Sequence, residues 1–226
     1  MYLPRYSWII NSTKDFIRRV EKAQLLSSPN VHFVTADVEQ FYTNVDLRIA
    51  KRRLEAVMKG NPHIKGLLSV GEAVGFMDFV NNNTYFRYGN CIYQQVEGLA
   101  MGAPCSGAIA NLFLGWEEKS WLKAYGDSHL RMYCRYIDDI AFIYEGSTES
   151  LNHLMKTMTF TGLKLTFHTS RDRVVFLDTT LNKADHQWER IYTDLYAKPG
   201  NTHMYVPWSS AHPASVKSAF VKAEMI

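Results

Sequence analysis

The chain has 226 residues, 46% of them hydrophobic and 21% charged, which excludes a disordered polymer and allows a sizeable core. Its formal net charge of +3 permits a phosphate-rich partner without requiring one. Three widely spaced cysteines (Cys91, Cys105, Cys134) with no Cys-x-x-Cys argue against a zinc knuckle or disulfide framework and for a reducing, intracellular setting. No apolar run nears the ~20 residues of a membrane span, and the first residues lack the apolar stretch of a secretory signal.

In chain order, Ser12-Thr13-Lys14-Asp15 is close to a capping box, and Phe16, Ile17, Val20, Ala23 and Leu25 give the stripe of a helix that Pro29 closes. Residues 31–38 read as a strand that delivers Asp37. Asp46 caps a helix through Leu47, Ile49, Leu54 and Val57, ended by Gly60-Asn61-Pro62. Arg48, Lys51, Arg52 and Arg53 are expected on its outer face, as a solvated surface or a phosphate-tracking one. A second helix is expected over 64–80, and a hairpin over 85–95 with Gly89-Asn90 at its turn.

Residues 98–107 hold three glycines and Pro104, then open a long apolar helix through Ile109, Leu112, Phe113 and Trp121. Such a loop lets backbone approach a nucleotide closely, or simply starts a helix. Two strands follow, 130–135 and 140–145, around Tyr136-Ile137-Asp138-Asp139. Beyond them come a helix from Gly146-Ser147-Thr148-Glu149 through Met158, a strand over 162–167, a further pair of strands over 173–181 and 188–196, and a helix from Ala214. The order predicts an α+β fold with helices packed on one face of an antiparallel sheet.

Two adjacent carboxylates at a strand junction need a cation or a proton. Alone, the pair is equally a solvated hairpin tip. A separate strand delivering Asp37 supplies the third acid of a two-metal phosphoryl-transfer site, whose ions sit about 3.5–4 Å apart. Mg²⁺ suits such oxygens, supplemented by water and phosphate.

At this point the sequence resembles a family. Asp37-Val38-Glu39-Gln40-Phe41-Tyr42-Thr43-Asn44-Val45, Gly98-Leu99-Ala100-Met101-Gly102-Ala103-Pro104-Cys105-Ser106 and Tyr136-Ile137-Asp138-Asp139 resemble motifs A, B and C of reverse transcriptases. The wording is closest to the Penelope-like retroelement branch. The resemblance implies a right-hand polymerase palm that joins dNTPs to a primer 3′-hydroxyl with two Mg²⁺ ions, Mn²⁺ serving as a substitute. It implies Asp37, Asp138 and Asp139 as catalytic acids and metal ligands, with the Val38 backbone as a further ligand. The dNTP would meet Tyr42, Gly98, Met101, Gly102 and Ser106. Many reverse transcriptases hold Gln where Met101 stands. Tyr42 would exclude a ribose 2′-hydroxyl, or be a core tyrosine. Lys164 lies where a general acid for the leaving pyrophosphate would sit. Phe176-Leu177-Asp178 resembles the primer-gripping element, and Lys198 and Lys217 are phosphate-contact candidates.

These resemblances divide the chain into a helical lead-in (1–30), a palm (31–200) and the start of a thumb (201–226). Nothing ahead of Asp37 resembles a fingers segment, so fingers are expected from a longer native chain. The implied partners are an RNA template, a DNA primer and dNTPs, and the implied location is intracellular, nuclear where the host is a eukaryote. Two other readings stand beside this one. One is a non-catalytic relic that binds nucleic acid or a partner. The other is a different two-metal enzyme on a palm-like sheet, such as a nucleotide cyclase, which the glycine block and the tail through His212-Pro213 disfavour.

Overall fold

A computed structural model describes residues 6–60, 68–126, 129–184, 189–200 and 206–224. In chain order the elements are α1 (Thr13–Ala23), β1 (Val31–Val38), α2 (Phe41–Asn44), α3 (Leu47–Gly60), α4 (Val70–Asn82), β2 (Tyr85–Tyr88), β3 (Cys91–Gln94), α5 (Ser106–Tyr125), β4 (Leu130–Tyr136), β5 (Asp139–Glu145), α6 (Thr148–Thr157), β6 (Leu165–Ser170), β7 (Arg173–Phe176), β8 (Thr179–Asn182), β9 (Tyr192–Leu195) and α7 (Ala214–Glu224). The fold is that of a polymerase palm. Its centre is a four-stranded antiparallel sheet in the order β4-β5-β1-β6.

Period-two alternation sets what each face of this sheet touches. Val34, Ala36 and Val38 of β1 and Ile140, Phe142 and Tyr144 of β5 face a core shared with α3, α5 and α6, including Leu54, Ile109, Phe113 and Leu151. Val31 and Phe33, with Ala141 and Ile143, face a second core made by Phe16 and Val20 of α1 and by Val174, Phe176 and Leu181. The large helices thus cover one face, while α1 and the small sheet β7-β8-β9 cover the other. Each buried side chain of this size contributes about 1.5–3 kcal/mol relative to exposure, so shifting β1 by one place would forfeit several such contributions.

The N-terminal segment is more than a helical lead-in. Arg135 of β4 donates its N–H to the Trp8 carbonyl at 3.0 Å and accepts from the Ile10 N–H at 2.9 Å. Residues 8–10 therefore pair with an edge strand whose backbone groups would otherwise lie open. Helix α1 then starts at Ser12, whose side chain accepts from the Asp15 N–H. It ends at Gln24 in the left-handed conformation.

Three expectations are corrected. The basic run of α3 does not share an outer face, because successive helix positions turn by about 100°. Arg48 is exposed, but Lys51 pairs with Asp78 of α4 and Arg53 pairs with Glu117 of α5. The Arg53 guanidinium also lies 4.4 Å from the centre of the Phe113 ring. The second helix starts at Val70, where Ser69 and Glu72 complete a capping box; residues 64–67 of the expected span lie outside the described residues. The run 173–181 is not one strand. It turns at Leu177-Asp178 to make the β7–β8 hairpin, which β9 joins. Trp188 lies outside the described residues.

The hairpin of β2 and β3 forms as expected, with every residue of both strands exposed. Among the described residues, no helix is long and apolar enough to cross a membrane.

Candidate active site

Asp37 and Asp139 are partners across the β1–β5 ladder. Their side chains share a face, the one turned towards α1 and the β7–β8 hairpin, because residues two apart on each strand fill that core. Asp138 lies in the turn between β4 and β5, where Tyr136 pairs with Asp139 and only Ile137 and Asp138 lie between. Its carbonyl accepts from the Val38 N–H at 3.3 Å. One end of the sheet therefore gathers all three acids.

Their charges act on one another. Asp139 is pushed up to about 6, first by burial, then by the negative charges of Asp138 and Asp37, with Lys198 opposing the rise. Asp37 is raised by burial, then by Asp138 and Glu39. Such mutual repulsion is what a divalent cation relieves, and all the donors are hard carboxylate oxygens. Among the described residues, no group of three or more His, Cys, Asp or Glu side chains is placed to hold a metal ion by itself. The donor set fits an open site, in which water and substrate phosphates complete the shell.

The glycine block and the segment after Asp37 lock together. Gly98 has φ 73°, and a Cβ built on it would lie 2.5 Å from the Thr43 Cα. The next N–H, from Leu99, donates to the Tyr42 carbonyl at 2.7 Å. Tyr42 is half-buried, and burial and then the Asp138 charge raise its hydroxyl above the usual phenol range. Across from it, a Cβ at Gly107 would stand 3.6 Å from that hydroxyl. Tyr42 thus sits between the acids and the first turn of α5.

The loop is braced from inside. Ser106 Oγ donates to the Ala100 carbonyl at 2.5 Å, and the Ala100 N–H donates to Asn81 Oδ1 at 2.8 Å. Met101 is 69% exposed, and Gly102 adopts φ 85° with open space where a Cβ would go. Both lie at the solvent-facing tip, so the loop offers backbone and an exposed thioether there and no polar side chain.

The remaining candidates divide. Lys198 is exposed, and its charge is felt at Asp139. Lys164, side chain 76% exposed, is ion-paired with Glu39 at 2.9 Å, and Glu39 also accepts from the Thr166 hydroxyl at 2.6 Å. Phe176 is buried against Phe16, ring centres 4.7 Å apart, so its side chain faces the core. Leu177 has φ 55° at the hairpin turn, and Asp178 is exposed, accepting from the Thr13 hydroxyl at 3.4 Å. Lys217 lies on α7, its ammonium bonded to the Trp208 carbonyl at 2.8 Å and 5.4 Å from the centre of the Trp208 ring. Val38 is buried, its N–H committed to the Asp138 carbonyl.

A set beneath the turn was not read from the sequence: buried Arg135, Glu118 and Tyr133, with half-buried Asn111. Arg135 pairs with Glu118 at 2.7 Å with neither side chain exposed. One signal was available. Asn111 and Glu118 stand seven apart on the helix, hence on one face that also carries the apolar Leu114, and Arg135 follows the apolar run Met132-Tyr133-Cys134 in its strand.

Residues 7–186 match the family described as reverse transcriptase (RNA-dependent DNA polymerase), and the chain belongs to that family. No curated protein matches it significantly. Its fold is similar to Candida albicans telomerase solved with a fragment of telomeric RNA, at TM-score 0.64 and 10% identity over 96% of this chain and 38% of that one. Candida tropicalis telomerase truncated of its C-terminal domain gives TM-score 0.61 and 13% identity, over 77% of this chain and 39% of that one. The RNA-dependent RNA polymerase of a human picobirnavirus gives TM-score 0.52 and 17% identity, over 80% and 35%. The chain spans well under half the length of each of these proteins.

Proposed function

We propose that this chain is the palm of an RNA-directed DNA polymerase from a retroelement of the Penelope-like branch, joining dNTPs to a primer 3′-hydroxyl on an RNA template. The observation that carries the reading is the convergence of Asp37, Asp138 and Asp139 at one end of the sheet beside Tyr42 and the glycine loop. Asp37, Asp138 and Asp139 would hold two Mg²⁺ ions, which supply activation of the primer hydroxyl and neutralisation of the phosphates. Mn²⁺ would occupy the same oxygens.

The chain's own residues do the rest by position and charge. Gly98 and Gly102 open the backbone to a nucleotide, with Met101 and Ser106 framing the loop. Tyr42 limits the space at the sugar. Lys198, whose charge already reaches Asp139, is suited to a phosphate. Lys164 holds a proton near Glu39 that a leaving pyrophosphate could take. The β7–β8 turn at Leu177-Asp178 would guide the primer strand, and Lys217 a more distant phosphate. An intracellular location, nuclear in a eukaryote, agrees with Cys91, Cys105 and Cys134 all being free thiols.

The test is primer extension on an RNA template with Mg²⁺, comparing the wild type with Asp138→Asn plus Asp139→Asn. Incorporation is expected only in the wild type. Equal incorporation by both proteins removes the assignment of the site, and template binding with no incorporation by the wild type favours a relic.

A further inference from the structure

We propose that Arg135 is a positioning residue of the active site: its buried guanidinium ties helix α5 to the Ile137-Asp138 turn and so fixes where Asp138 and Asp139 stand. The inference rests on the polymerase reading and deepens it.

Attraction between buried charges is largely offset by their desolvation, so the Arg135–Glu118 pair is weak evidence of stabilisation. What it fixes is geometry. Arginine presents its donors in a rigid planar fork. Here Nε donates to Glu118 Oε1 at 2.7 Å, and Nη1 donates to Asn111 Oδ1 at 2.7 Å and to the Ile137 carbonyl at 2.6 Å. Nη2 reaches the Asn111 carbonyl at 3.3 Å. Glu118 is itself held by the Tyr133 hydroxyl at 2.8 Å and the Trp8 indole N–H at 2.6 Å. Among the described residues, no buried side-chain nitrogen or oxygen lacks a partner.

The Ile137 carbonyl is the telling member. Ile137 has φ 55°, a conformation that β-branched residues avoid and that persists only where the surroundings over-determine it. Its carbonyl belongs to the peptide that carries the Asp138 N–H. Arg135 therefore holds the plane from which the catalytic acids depart. At its other end Arg135 grips Asn111 on α5, the helix that begins at Ser106 directly from the glycine loop. A displacement of that loop would reach the acids through one side chain. Lysine, with a single nitrogen, cannot bridge all these acceptors at once.

The test measures Mn²⁺ affinity of the full chain by electron paramagnetic resonance, beside thermal unfolding, for the wild type, Arg135→Lys, Asn111→Leu, Asp138→Asn and Trp8→Phe. Asp138→Asn identifies the ion bound at the acids. Trp8→Phe loosens the far end of the same network and reports loss of stability alone. Arg135→Lys and Asn111→Leu are expected to weaken Mn²⁺ binding about tenfold or more, as loss of groups that orient metal ligands does, while Trp8→Phe stays near wild type. In single-turnover extension, the same two variants should lose rate at saturating dNTP with little change in dNTP affinity. Mn²⁺ affinity near wild type in both variants, or an equal fall in Trp8→Phe, overturns the proposal. If Arg135→Lys does not fold, Asn111→Leu decides. A wild type that binds Mn²⁺ through Asp138 yet incorporates no dNTP overturns the polymerase reading and leaves the positioning role standing. A wild type that binds none there overturns both.

Discussion

Gly98 lies so close to Thr43 that a methyl group on the glycine would come within 2.5 Å of the threonine Cα. Backbone stands on the other side, so nothing there can swing away. Gly98→Ala also faces the left-handed φ of 73°. It should cost about 2–4 kcal/mol in denaturant unfolding, from overpacking and strain together. Gly102→Ala meets the same kind of φ, 85°, but open space. It should cost only about 1 kcal/mol. Equal stabilities for the two variants would dissolve the claim that the glycine block is wedged against the segment after Asp37.

The raised position of Asp139 gives a pH dependence with a definite sign. A carboxyl whose folded-state value, about 6, exceeds its ordinary 3.8 binds its proton more tightly in the folded protein. Without metal, this group's contribution to stability is therefore greatest below about 4 and is lost as pH rises through about 6. Metal binding runs the other way, since the proton must leave first, so affinity should climb across the same window. Asp139→Asn should flatten both curves. Calorimetric melting temperatures from pH 4 to 8, with and without Mg²⁺, check the pair of trends. A melting temperature in metal-free buffer that rises through pH 6 only when Asp139 is present would contradict the assignment.

Tyr42 is expected to discriminate against ribonucleotides. It is half-buried between Asp138 and the start of α5, where a sugar beside the acids would meet its ring. Tyr42→Ala should raise rNTP incorporation relative to dNTP about tenfold or more, because a hydroxyl excluded by volume gains the room it lacked. Steady-state extension with each nucleotide set reads the ratio. An unchanged ratio returns Tyr42 to the core.

The two ends of the basic run on α3 should behave differently. Arg53 pairs with Glu117, and both side chains are largely buried. Arg53→Ala leaves that carboxylate stranded and removes the stacking on Phe113, at a cost of about 2–4 kcal/mol. Arg48, with its side chain 85% exposed, should cost under about 0.5 kcal/mol when replaced by alanine. Urea unfolding of both variants separates the readings. Matching losses would restore a single solvated face.

Much of this was legible from local pattern. Asp37 comes near the end of a strand and the Asp pair sits between two strands, as the pattern predicts, whereas the pairing of Asp37 with Asp139 depends on a register that only the folded sheet sets. Asp46 as a cap and the Gly89-Asn90 hairpin follow from rules of a few residues, and both formed. What was missed depends on partners far away in the chain. Residues 8–10 bridge to the edge of the sheet only because β4 offers them backbone groups more than a hundred positions later. Leu177 turns in the left-handed region, which nothing in a leucine advertises. The small sheet was hidden because its first hairpin has no glycine or asparagine at the turn. Arg53 and Lys51 looked like solvent charges because their acidic partners belong to other helices.

The ladder that sets Asp37 opposite Asp139 has a consequence for how this chain can change over generations. Side chains of a strand point alternately up and down, so losing or gaining one residue between Val31 and Ala36 would send Asp37 into the oily layer beneath the large helices. The strand can exchange one aliphatic for another and keep its chemistry. It cannot change its count. Descendants of this sequence should vary in what fills those places and agree in how many places there are.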